Sequence, residues 1–353
     1  MGEDAGVRDE PALFRRRPWL RGHVPHVALG AFPTPVERIA GLLPPSVELW
    51  VKREDRAGVA YGGNKVRKLE FLLAEARAAG RERVATIGAW GSHHALATAI
   101  YARTVGLGCE LFLFPQPLTD HVRAQLRADV AAGAVVHAER SLAAIGPRVV
   151  GARLSGSTAY VAAGGSSPVG TLGWVSAADE LLEQVERGEL PAPDLVYAPL
   201  GSCGTVAGLL AGLRGARRVP EVVAVRVVER AVCGLGPTRA LEEATAALLG
   251  ASEHGPLVPL RVAHGQIGAG YGHATDAARA AVVLAAAHGL ALEPTYTGKA
   301  MAQLLADAAS GELDGKRVLF LATYSSVDLA PLLAAAPDAA LSPSVRRVLE
   351  LPR

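Results

Sequence analysis

The chain has 353 residues, of which 50% are hydrophobic and 20% are charged, and its formal net charge is +2. These values are typical of a folded globular protein, and they exclude a disordered chain and a strongly basic nucleic-acid-binding surface. A chain of this length usually outgrows a single hydrophobic core, so we expect two domains. Its apolar stretches are too short for a membrane helix, which predicts a soluble protein.

The N-terminal arginines and the few cysteines bear on cellular location. Arg15, Arg16 and Arg17 precede Pro18 and Trp19 instead of an apolar run, which favours a solvated arm over a targeting signal. The chain has 3 cysteines and no CxxC pair, which argues against a disulfide framework and a structural zinc site. We therefore predict a cytoplasmic protein.

Short apolar runs alternate with helical patterns along the chain. The periodicity predicts a helix over 65–79 that ends at Gly80, then a strand over 84–89, a helix over 93–105 and a strand over 110–114. Further strands are predicted at 134–137, 159–163, 195–199, 222–228 and 318–323. Continuous apolar runs are typical of parallel strands with helices on both faces, so the fold class is α/β.

The first chemical motif is a glycine pair, Gly62-Gly63, followed by Asn64 and by a helix that begins with Lys65. The helix macrodipole favours negative charge at this end, so it lowers the pKa of the lysine. Because only a neutral amine attacks a carbonyl carbon, Lys65 is a candidate Schiff-base lysine. For this motif alone, a solvated surface lysine remains the alternative.

The second motif is a strand, a glycine-rich turn and a helix over 206–213. Backbone N–H groups, the helix dipole and two hydroxyl side chains predict a phosphate cradle there. The turn lacks the spacing of a Walker loop or a dinucleotide fold, which indicates a smaller phosphorylated cofactor. A plain tight connection is the alternative. The predicted cradle residues are Gly201, Ser202, Cys203, Gly204 and Thr205.

The third motif, Gly91-Ser92-His93-His94, follows the strand over 84–89, at the end where α/β sheets hold ligands. Ser92 is expected to cap the next helix. Neighbouring histidines on a helix point in different directions, and no carboxylate pair accompanies them, so we predict no metal site. The alternative is an ordinary cap beside two surface histidines.

The segments 51–55 and 62–70 resemble the family of 1-aminocyclopropane-1-carboxylate (ACC) deaminase and D-cysteine desulfhydrase. Segments 88–94, 201–209, 270–272 and 293–300 agree with it in order and spacing, so the resemblance covers nearly the whole chain. It implies a fold of the tryptophan synthase β kind, known as fold type II, with two open parallel-sheet domains. Residues 68–177 would form a small domain inserted into a large one made of 1–67 and 178–353, with pyridoxal 5'-phosphate in the cleft between them.

The resemblance also implies roles for single residues. Lys65 would hold the cofactor as a Schiff base and move the Cα proton of the substrate, while Ser92 would meet the substrate carboxylate or assist proton transfer. Asn64 and Lys68 would lie near the phosphate, and residues 201–205 would form its main cradle. Tyr271 and Tyr296 would be paired active-site tyrosines, and Thr323 would approach the pyridine nitrogen. A neutral hydroxyl at that nitrogen suits elimination and deamination more than transamination.

The chain departs from the family pattern at the predicted substrate pocket. Gly91 replaces a glutamine, which we expect to open space, and His93 replaces an asparagine beside the cofactor's phenolic oxygen. We hypothesise that His93 takes over this contact. Residues 322–326 read Ala-Thr-Tyr-Ser-Ser where the family has His-Thr-Gly-Gly. The pocket is therefore predicted to include Gly91, Ser92, His94, Tyr324 and Ser325.

The resemblance implies a pyridoxal-phosphate-dependent lyase or deaminase that acts on a small amino acid, as D-cysteine desulfhydrase does, by Cα-proton removal and β-elimination or deamination. A biosynthetic β-replacement enzyme stays open, as does a ligand-binding homologue that has lost catalysis. ACC deaminase activity is disfavoured because Thr297, after Tyr296, matches the desulfhydrase branch and not the glutamate usual in the deaminase branch. The family implies a homodimer, and we expect no nucleic-acid or membrane partner.

Overall fold

A computed structural model describes residues 10–214, 216–230, 232–250, 255–334 and 341–352. Within these residues the helices are α1 (Ala12–Arg16), α2 (Lys65–Ala78), α3 (His93–Thr104), α4 (Asp120–Ala131), α5 (Leu142–Leu154), α6 (Pro168–Glu186), α7 (Gly204–Leu213), α8 (Leu235–Leu249), α9 (Asp276–Ala286), α10 (Thr297–Ala309), α11 (Ala330–Ala334) and α12 (Pro343–Leu349). The strands are β1 (Val36–Ile39), β2 (Glu48–Lys52), β3 (Arg83–Ala89), β4 (Gly108–Phe114), β5 (Val135–Ala138), β6 (Thr158–Val161), β7 (Leu195–Leu200), β8 (Glu221–Arg226), β9 (Leu260–Ala263) and β10 (Arg317–Leu321).

The described residues form two compact units. The first contains the chain up to His23, Gly30–Lys68 and Ser166–Ser326; the second contains Val24–Leu29, Leu69–Gly165 and the chain from Val327. These bounds differ from the predicted insertion of residues 68–177, because all of α6 packs with α7 in the first unit. Whether the units are separate folding domains stays a prediction.

The first unit contains a mixed sheet with strand order β1-β2-β10-β7-β8-β9. Each neighbouring pair is parallel except β1 and β2, which pair antiparallel. The sheet is therefore parallel, as the sequence implied, except at its edge strand β1. Its sequence, Val-Glu-Arg-Ile, is polar in the middle and not fully buried, as suits an edge where one face stays open to solvent.

The two faces of this sheet form separate hydrophobic cores because successive side chains of a strand point to opposite sides. On β7, Leu195 and Tyr197 join a core that includes residues of α9 and α10. Val196, Ala198 and Leu200 face the other way and join a core with α6 and α7. The carboxyl ends of these central strands, where β7 passes into α7, therefore lie between two packed layers of helices.

The second unit contains a parallel sheet with strand order β5-β4-β3-β6. Strands β3 and β4 and the intervening helix α3 form the βαβ unit predicted from the sequence, with ends within two residues of those expected. Ala85 and Phe112 pack with Ile145 and Ala152 of α5 in one core of this unit. The turn between β3 and α3 carries the predicted residues Gly91 and Ser92.

Residues 12–17 are not the solvated arm that the sequence predicted. Leu13 and Phe14 of α1 are buried, and Arg17 is 4% exposed and forms an ion pair with the buried Asp179 of α6. Arg15 also pairs with a carboxylate of α6, that of Glu183, at 2.6 Å. The arginines look like a charged tail in the sequence because their acidic partners lie more than 160 residues further along the chain.

Among the described residues, no helix has both the length and the apolar character that crossing a membrane requires.

Candidate active site

Lys65 begins α2, as the sequence predicted. Its Nζ atom donates a hydrogen bond to Asn64 Oδ1 at 2.9 Å. Although the side chain retains some exposed surface, the protein atoms around the amine disfavour its charged form and lower its pKa to about 8, against a smaller opposing attraction from Glu293. Burial is thus the main cause of the lowered pKa, which the sequence alone had pointed to through the helix macrodipole.

Asn64 connects this lysine to the predicted cradle. Its Nδ2 atom donates to Thr205 Oγ1 at 2.9 Å, while its backbone oxygen accepts a hydrogen bond from Trp174 Nε1 at 3.1 Å. The side chains of Lys65, Asn64 and Thr205 therefore form one hydrogen-bonded row. The sequence placed Asn64 near a phosphate by resemblance alone, and the contact with Thr205 gives this residue a physical position.

The backbone from Thr323 to Ser325 packs closely against the glycine pair Gly62-Gly63. Gly63 has a φ of +85°, and a Cβ at this position would lie 2.7 Å from the backbone oxygen of Thr323. Asn64 donates its backbone N–H to the same oxygen at 3.1 Å. A side chain at Gly63 would meet both a strained conformation and a backbone clash, so the pair must be glycine here.

Ser325 accepts a hydrogen bond at its hydroxyl from the backbone N–H of Gly62 at 2.9 Å. Tyr324 is half-buried, and burial raises the pKa of its phenol. The roles predicted for Tyr324 and Ser325 in a substrate pocket stay predictions, as does the contact of Thr323 with a pyridine nitrogen.

The predicted phosphate cradle is a tight turn between β7 and α7. Helix α7 begins at Gly204, two residues earlier than expected, and Cys203 is its N-cap residue. Ser202 Oγ lies 2.8 Å from Ser166 Oγ, and Gly204 donates its backbone N–H to Ser166 Oγ at 3.2 Å. Lys68 Nζ donates to the same Ser166 oxygen at 3.3 Å. A hydroxyl that the sequence argument missed, Ser166, thus joins the turn to Lys68.

A Cβ at Gly204 would lie 2.5 Å from Ser166 Oγ and 2.7 Å from Lys68 Nζ. The absence of a side chain therefore lets an amine, hydroxyl groups and a helix N-terminus converge on one small region. Burial lowers the pKa of Lys68 well below its usual value, and the nearby Lys65 lowers it further. A bound phosphate monoester would compensate both amines and the helix dipole, so this donor set fits the phosphate of pyridoxal phosphate.

A buried ion network holds the same stretch of α2 in place. Arg67 contacts Glu54 at 2.7 Å and Glu180 at 2.9 Å, and Lys52 contacts Glu180 at 2.5 Å. None of these four side chains is more than 3% exposed. Burial opposes ionisation of Glu180, but the attraction of Arg67 and Lys52 outweighs it and lowers its pKa to about 2. The network fixes the first turn of α2, which carries both Lys65 and Lys68.

The two predicted tyrosines lie together. Tyr296 donates its hydroxyl to the hydroxyl of Tyr271 at 2.8 Å, and the two ring centroids are 5.9 Å apart. Burial raises the pKa of Tyr271 to about 12 and raises that of Tyr296 well above its usual value. Both phenols are therefore protonated at neutral pH. A Cβ at Gly201 would lie 3.0 Å from Tyr296 Cε1, so this tyrosine borders the cradle turn.

Glu293 and Lys299 position these tyrosines, although the sequence argument gave them no role. The carboxylate of Glu293 accepts backbone N–H groups at the start of α10, including that of Tyr296 at 2.8 Å. Lys299 Nζ donates to the backbone oxygens of Ile267 and Gly270 at 2.8 and 3.3 Å. Each buried charge thus holds backbone groups beside one tyrosine of the pair.

Ser92 caps α3, as predicted: its hydroxyl accepts the backbone N–H of Ala95 at 3.2 Å. His94 is 4% exposed, and its Nε2 atom lies 3.0 Å from Thr86 Oγ1 of β3. His93 packs near the ring of His121, with centroids 5.3 Å apart. These residues all belong to the second unit. The predicted contacts of Ser92, His93 and His94 with substrate or cofactor stay predictions.

The space that Gly91 was expected to open is already filled. A Cβ at position 91 would lie 2.7 Å from Gln116 Nε2 and 3.0 Å from Val122 Cγ2. The carboxamide oxygen of Gln116 is buried and has no hydrogen-bond partner among the residues that the structure describes. The sequence prediction was wrong on this point because Gln116, which follows β4, enters the volume next to Gly91.

Comparisons with known proteins identify the family of this chain. The family model described as "Pyridoxal-phosphate dependent enzyme" matches residues 27–323. A Pyrococcus abyssi protein named "Putative 1-aminocyclopropane-1-carboxylate deaminase" is 35% identical over 315 residues, covering 86% of this chain and 92% of the relative. A D-cysteine desulfhydrase of Serratia proteamaculans is 33% identical over 315 residues, covering 85% and 93%.

Solved structures show the same similarity. A crystal structure of an ACC deaminase homologue has a TM-score of 0.76 at 26% identity, covering 92% of this chain and 99% of that chain. The processed form of threonine deaminase isoform 2 from Solanum lycopersicum has a TM-score of 0.59 at 15% identity, covering 86% of each chain, and this likeness concerns the fold alone. The fold is type II, as the sequence implied. By its match to this family model and to relatives that cover most of its length, the chain belongs to the family of pyridoxal-phosphate-dependent enzymes.

Proposed function

We propose that this enzyme is a lyase that removes the Cα proton of a small amino acid and releases a 2-oxo acid and ammonia, by β-elimination or deamination. The observation that carries the proposal is the row formed by Lys65, Asn64 and Thr205, in which an amine of lowered pKa is connected by hydrogen bonds to a residue of the proposed phosphate cradle. The D-cysteine desulfhydrase that matches most of the chain supports the same class of reaction.

The chemistry divides between the cofactor and the chain. Pyridoxal phosphate, when bound, supplies an electron sink for the bond that breaks at the substrate Cα. Lys65 is suited to move the proton because a pKa of about 8 leaves roughly a tenth of the amine neutral at pH 7, far more than at the usual pKa of a lysine. Asn64 accepts a hydrogen bond from Lys65 Nζ, and this contact orients the lone pair of the lysine amine. The residues proposed to hold the phosphate are Lys68, Gly201, Ser202, Cys203, Gly204 and Thr205.

The tyrosine pair is the proposed acid of the reaction. Because both phenols stay protonated at neutral pH, Tyr271 and Tyr296 can pass a proton along their 2.8 Å hydrogen bond to a leaving group or to the substrate carbon. From the family resemblance we further propose that Ser92 meets the substrate carboxylate, that His93 contacts the phenolic oxygen of the cofactor, and that Thr323 contacts its pyridine nitrogen. The residues proposed to border the substrate are Gly91, His94, Tyr324 and Ser325.

A panel of amino acids in both enantiomers tests the function. We expect pyruvate and ammonia from D-cysteine or β-chloro-D-alanine without any added nucleophile, and no product from the Lys65→Ala variant. Product that forms only when a nucleophile is supplied would contradict elimination and assign a β-replacement enzyme. Shifts of the cofactor's visible absorbance without any product would contradict catalysis and assign a ligand-binding homologue.

ACC belongs in the same panel because two of the similar proteins carry ACC deaminase in their names. The side chain of Thr297, the position that separates the two branches, is fully buried, and its hydroxyl lies 3.3 Å from a carboxylate oxygen of Glu293. This residue is the first of α10, and it lacks the carboxylate that is usual in the deaminase branch. We expect no ammonia or 2-oxobutyrate from ACC, and their formation would assign the deaminase activity instead.

We also propose that the enzyme is a cytoplasmic homodimer, as the family resemblance implies. Light scattering coupled to size-exclusion chromatography measures the assembly directly. A mass of twice 36.5 kDa is expected, and the mass of a single chain would contradict the dimer.

A further inference from the structure

Two buried thiols meet at the cradle turn. Cys203 Sγ and Cys233 Sγ are 3.1 Å apart, although the residues are separated by 30 positions in the sequence. Cys203 is 6% exposed and Cys233 is fully buried. The third cysteine, Cys109, is buried in the other unit. The contact therefore joins the turn proposed to hold the phosphate to the turn that precedes α8.

The backbone at Cys203 is unusual for a residue that carries a side chain. Its φ is +67°, and among the described residues it is the one non-glycine residue with a positive φ. This conformation is disfavoured by a Cβ and is normally taken by glycine. Strain of this kind persists where the surrounding structure requires the residue, which suggests a use for the thiol itself.

The surroundings make the two sulfurs chemically unequal. The hydrogen bond from Cys233 lowers the pKa of Cys203, burial opposes this, and Thr238, the backbone N–H of Gly234 and the charge of Lys68 lower it further. The same pairing, with burial, raises the pKa of Cys233. Cys203 is therefore the more acidic thiol of the pair, as an attacking thiol should be, and Cys233 lies close enough to act as the resolving thiol.

We propose that Cys203 and Cys233 form a reversible disulfide that weakens cofactor binding, so that the cradle itself is an oxidisable site. The bond requires the sulfurs to approach from 3.1 Å to about 2.05 Å, a shift of roughly 1 Å within one pair of turns. A sulfur moved toward Cys233 draws the backbone of residue 203 with it. The N–H groups of Gly204 and Thr205 then no longer converge on the same phosphate.

The oxidant is a small hydroperoxide such as hydrogen peroxide. The Cys203 thiolate attacks one peroxide oxygen, the O–O bond breaks and hydroxide leaves, so the sulfur loses two electrons and becomes a sulfenic acid. The Cys233 thiol then attacks that sulfur, the S–O bond breaks, and water leaves with the Cys233 proton. A dithiol reductant reverses the reaction by taking the sulfurs back to two thiols.

The first test counts thiols and does not depend on enzyme activity. Reduced, cofactor-free chain is treated with a small excess of hydrogen peroxide, unfolded in an alkylating agent and weighed by mass spectrometry. We expect loss of two thiols with no added oxygen, and a cross-linked peptide that joins Cys203 to Cys233. Oxygen addition without a cross-link, or oxidation of Cys109 as fast as the pair, would overturn the proposal.

Single substitutions sharpen this result. Cys109→Ser is the matched control and should form the disulfide like the unaltered chain. Cys233→Ser should stop at the sulfenic acid on Cys203, which a dione probe traps, whereas Cys203→Ser should give neither product. Circular dichroism shows whether each variant is folded. A sulfenic acid trapped on Cys233 in the Cys203→Ser variant would reverse the assigned roles and contradict the proposal.

The link to the cofactor is tested by binding alone. If the disulfide weakens the cradle, thermodynamic reciprocity requires that bound cofactor disfavours the disulfide at equilibrium by the same factor. We expect the oxidised chain to bind pyridoxal phosphate about tenfold more weakly in an absorbance titration, with recovery on reduction, and the loaded chain to hold about tenfold less disulfide relative to dithiol in the same thiol–disulfide redox buffer. Equal affinities of the oxidised and reduced chains, or a disulfide fraction that the cofactor does not change, would overturn the coupling.

Discussion

The first turn of α2 carries two kinds of buried cation in different electrostatic surroundings: Arg67 on the one hand, and Lys65 with Lys68 on the other. Arg67 lies between the carboxylates of Glu54 and Glu180, and this pairing raises the pKa of its guanidinium. Lys65 and Lys68, on either side of it in the sequence, donate instead to an amide oxygen and to a hydroxyl, and burial lowers the pKa of both amines. One group has its counter-charges built in, whereas the other leaves room for a phosphorylated cofactor to supply them.

The difference separates stability from chemistry along a single turn of helix. A buried charge with hydrogen-bonded ionic partners stays charged and fixes its surroundings, while a buried amine becomes easy to deprotonate where burial outweighs the attraction of nearby charges. Arg67 therefore fixes the position of the helix, and Lys65 and Lys68 have the electrostatic character that their proposed reactive and anion-binding roles require. This comparison predicts that changes in the two groups will affect different measurements.

Lys65→Ala gives the largest expected effect. Loss of the amine should lower turnover of the accepted amino acid by at least about a thousandfold, because the base and the attachment point disappear together. The exposed Lys316→Ala is the matched control and should keep full activity. Circular dichroism and the melting temperature should change little in either variant, and turnover above a tenth of the original rate in Lys65→Ala would contradict the assignment.

Arg67→Met tests the paired group. Removing the guanidinium takes a positive counter-charge away from the buried carboxylates of Glu54 and Glu180. The free energy of unfolding should therefore fall by about 3–5 kcal/mol. The exposed ion pair of Arg56 with Glu37 provides the control, since Arg56→Met should cost less than about 1 kcal/mol. Urea unfolding followed by circular dichroism compares the two variants, and equal losses would show that burial does not set the difference.

Acid gives a second check on this group. The pKa of Glu180 is lowered from 4.5 to about 2, so its stabilisation is present above pH 4.5 and is lost as the pH falls towards 2. The Arg67→Met variant should lose less stability than the unaltered chain across this window. Parallel stability curves between these two pH values would contradict the assignment.

Gly204→Ala tests the anion-binding group. The new methyl would lie 2.5 Å from Ser166 Oγ and 2.7 Å from Lys68 Nζ, so we expect cofactor affinity to fall about 10- to 100-fold, equivalent to roughly 1–3 kcal/mol of overpacking. Gly236→Ala, in α8, is the control because a Cβ there meets no atom within 4 Å. An absorbance titration with pyridoxal phosphate measures both, and an unchanged affinity in Gly204→Ala would place the phosphate elsewhere.

Gly91→Ala should have the smallest effect, because its methyl displaces the end of the Gln116 side chain and not backbone. We expect a loss of about 1 kcal/mol in stability and a change in KM larger than that in kcat. Adding Gln116→Ala should restore the stability, since it removes the clash. If the double variant is no more stable than Gly91→Ala, then Gln116 does not occupy the space beside residue 91.

The sequence was most informative where one short segment contains the whole feature. The strand, turn and helix around residues 201–205 were predicted to within two residues, because β7 is a continuous apolar run and the turn is marked by glycine. Ser92 was predicted as a cap for the same reason. The strands β1, β2 and β9 were not predicted, since β1 and β9 are incompletely buried and interrupted by polar residues, and the apolar run of β2 between Glu48 and Lys52 is short.

Features that join distant segments were beyond a sequence argument. Ser166 meets Lys68 across 98 positions and Gly204 across 38, and no local pattern indicates either contact. The intrusion of Gln116 beside Gly91 likewise depends on the packing of a neighbouring strand end. Ser166 could have been suspected only as a hydroxyl in the run Gly164-Gly165-Ser166-Ser167 that leads into α6.

The most direct test of the central claim is to map the lysine that carries the cofactor. Purified chain is saturated with pyridoxal phosphate, reduced with borohydride, digested and analysed by mass spectrometry. The chain has 5 lysines, at positions 52, 65, 68, 299 and 316, so the modified residue is readily identified. We predict that the label lies on Lys65 alone; a label on Lys68 or another lysine, or a chain that stays colourless and unlabelled, would contradict the account.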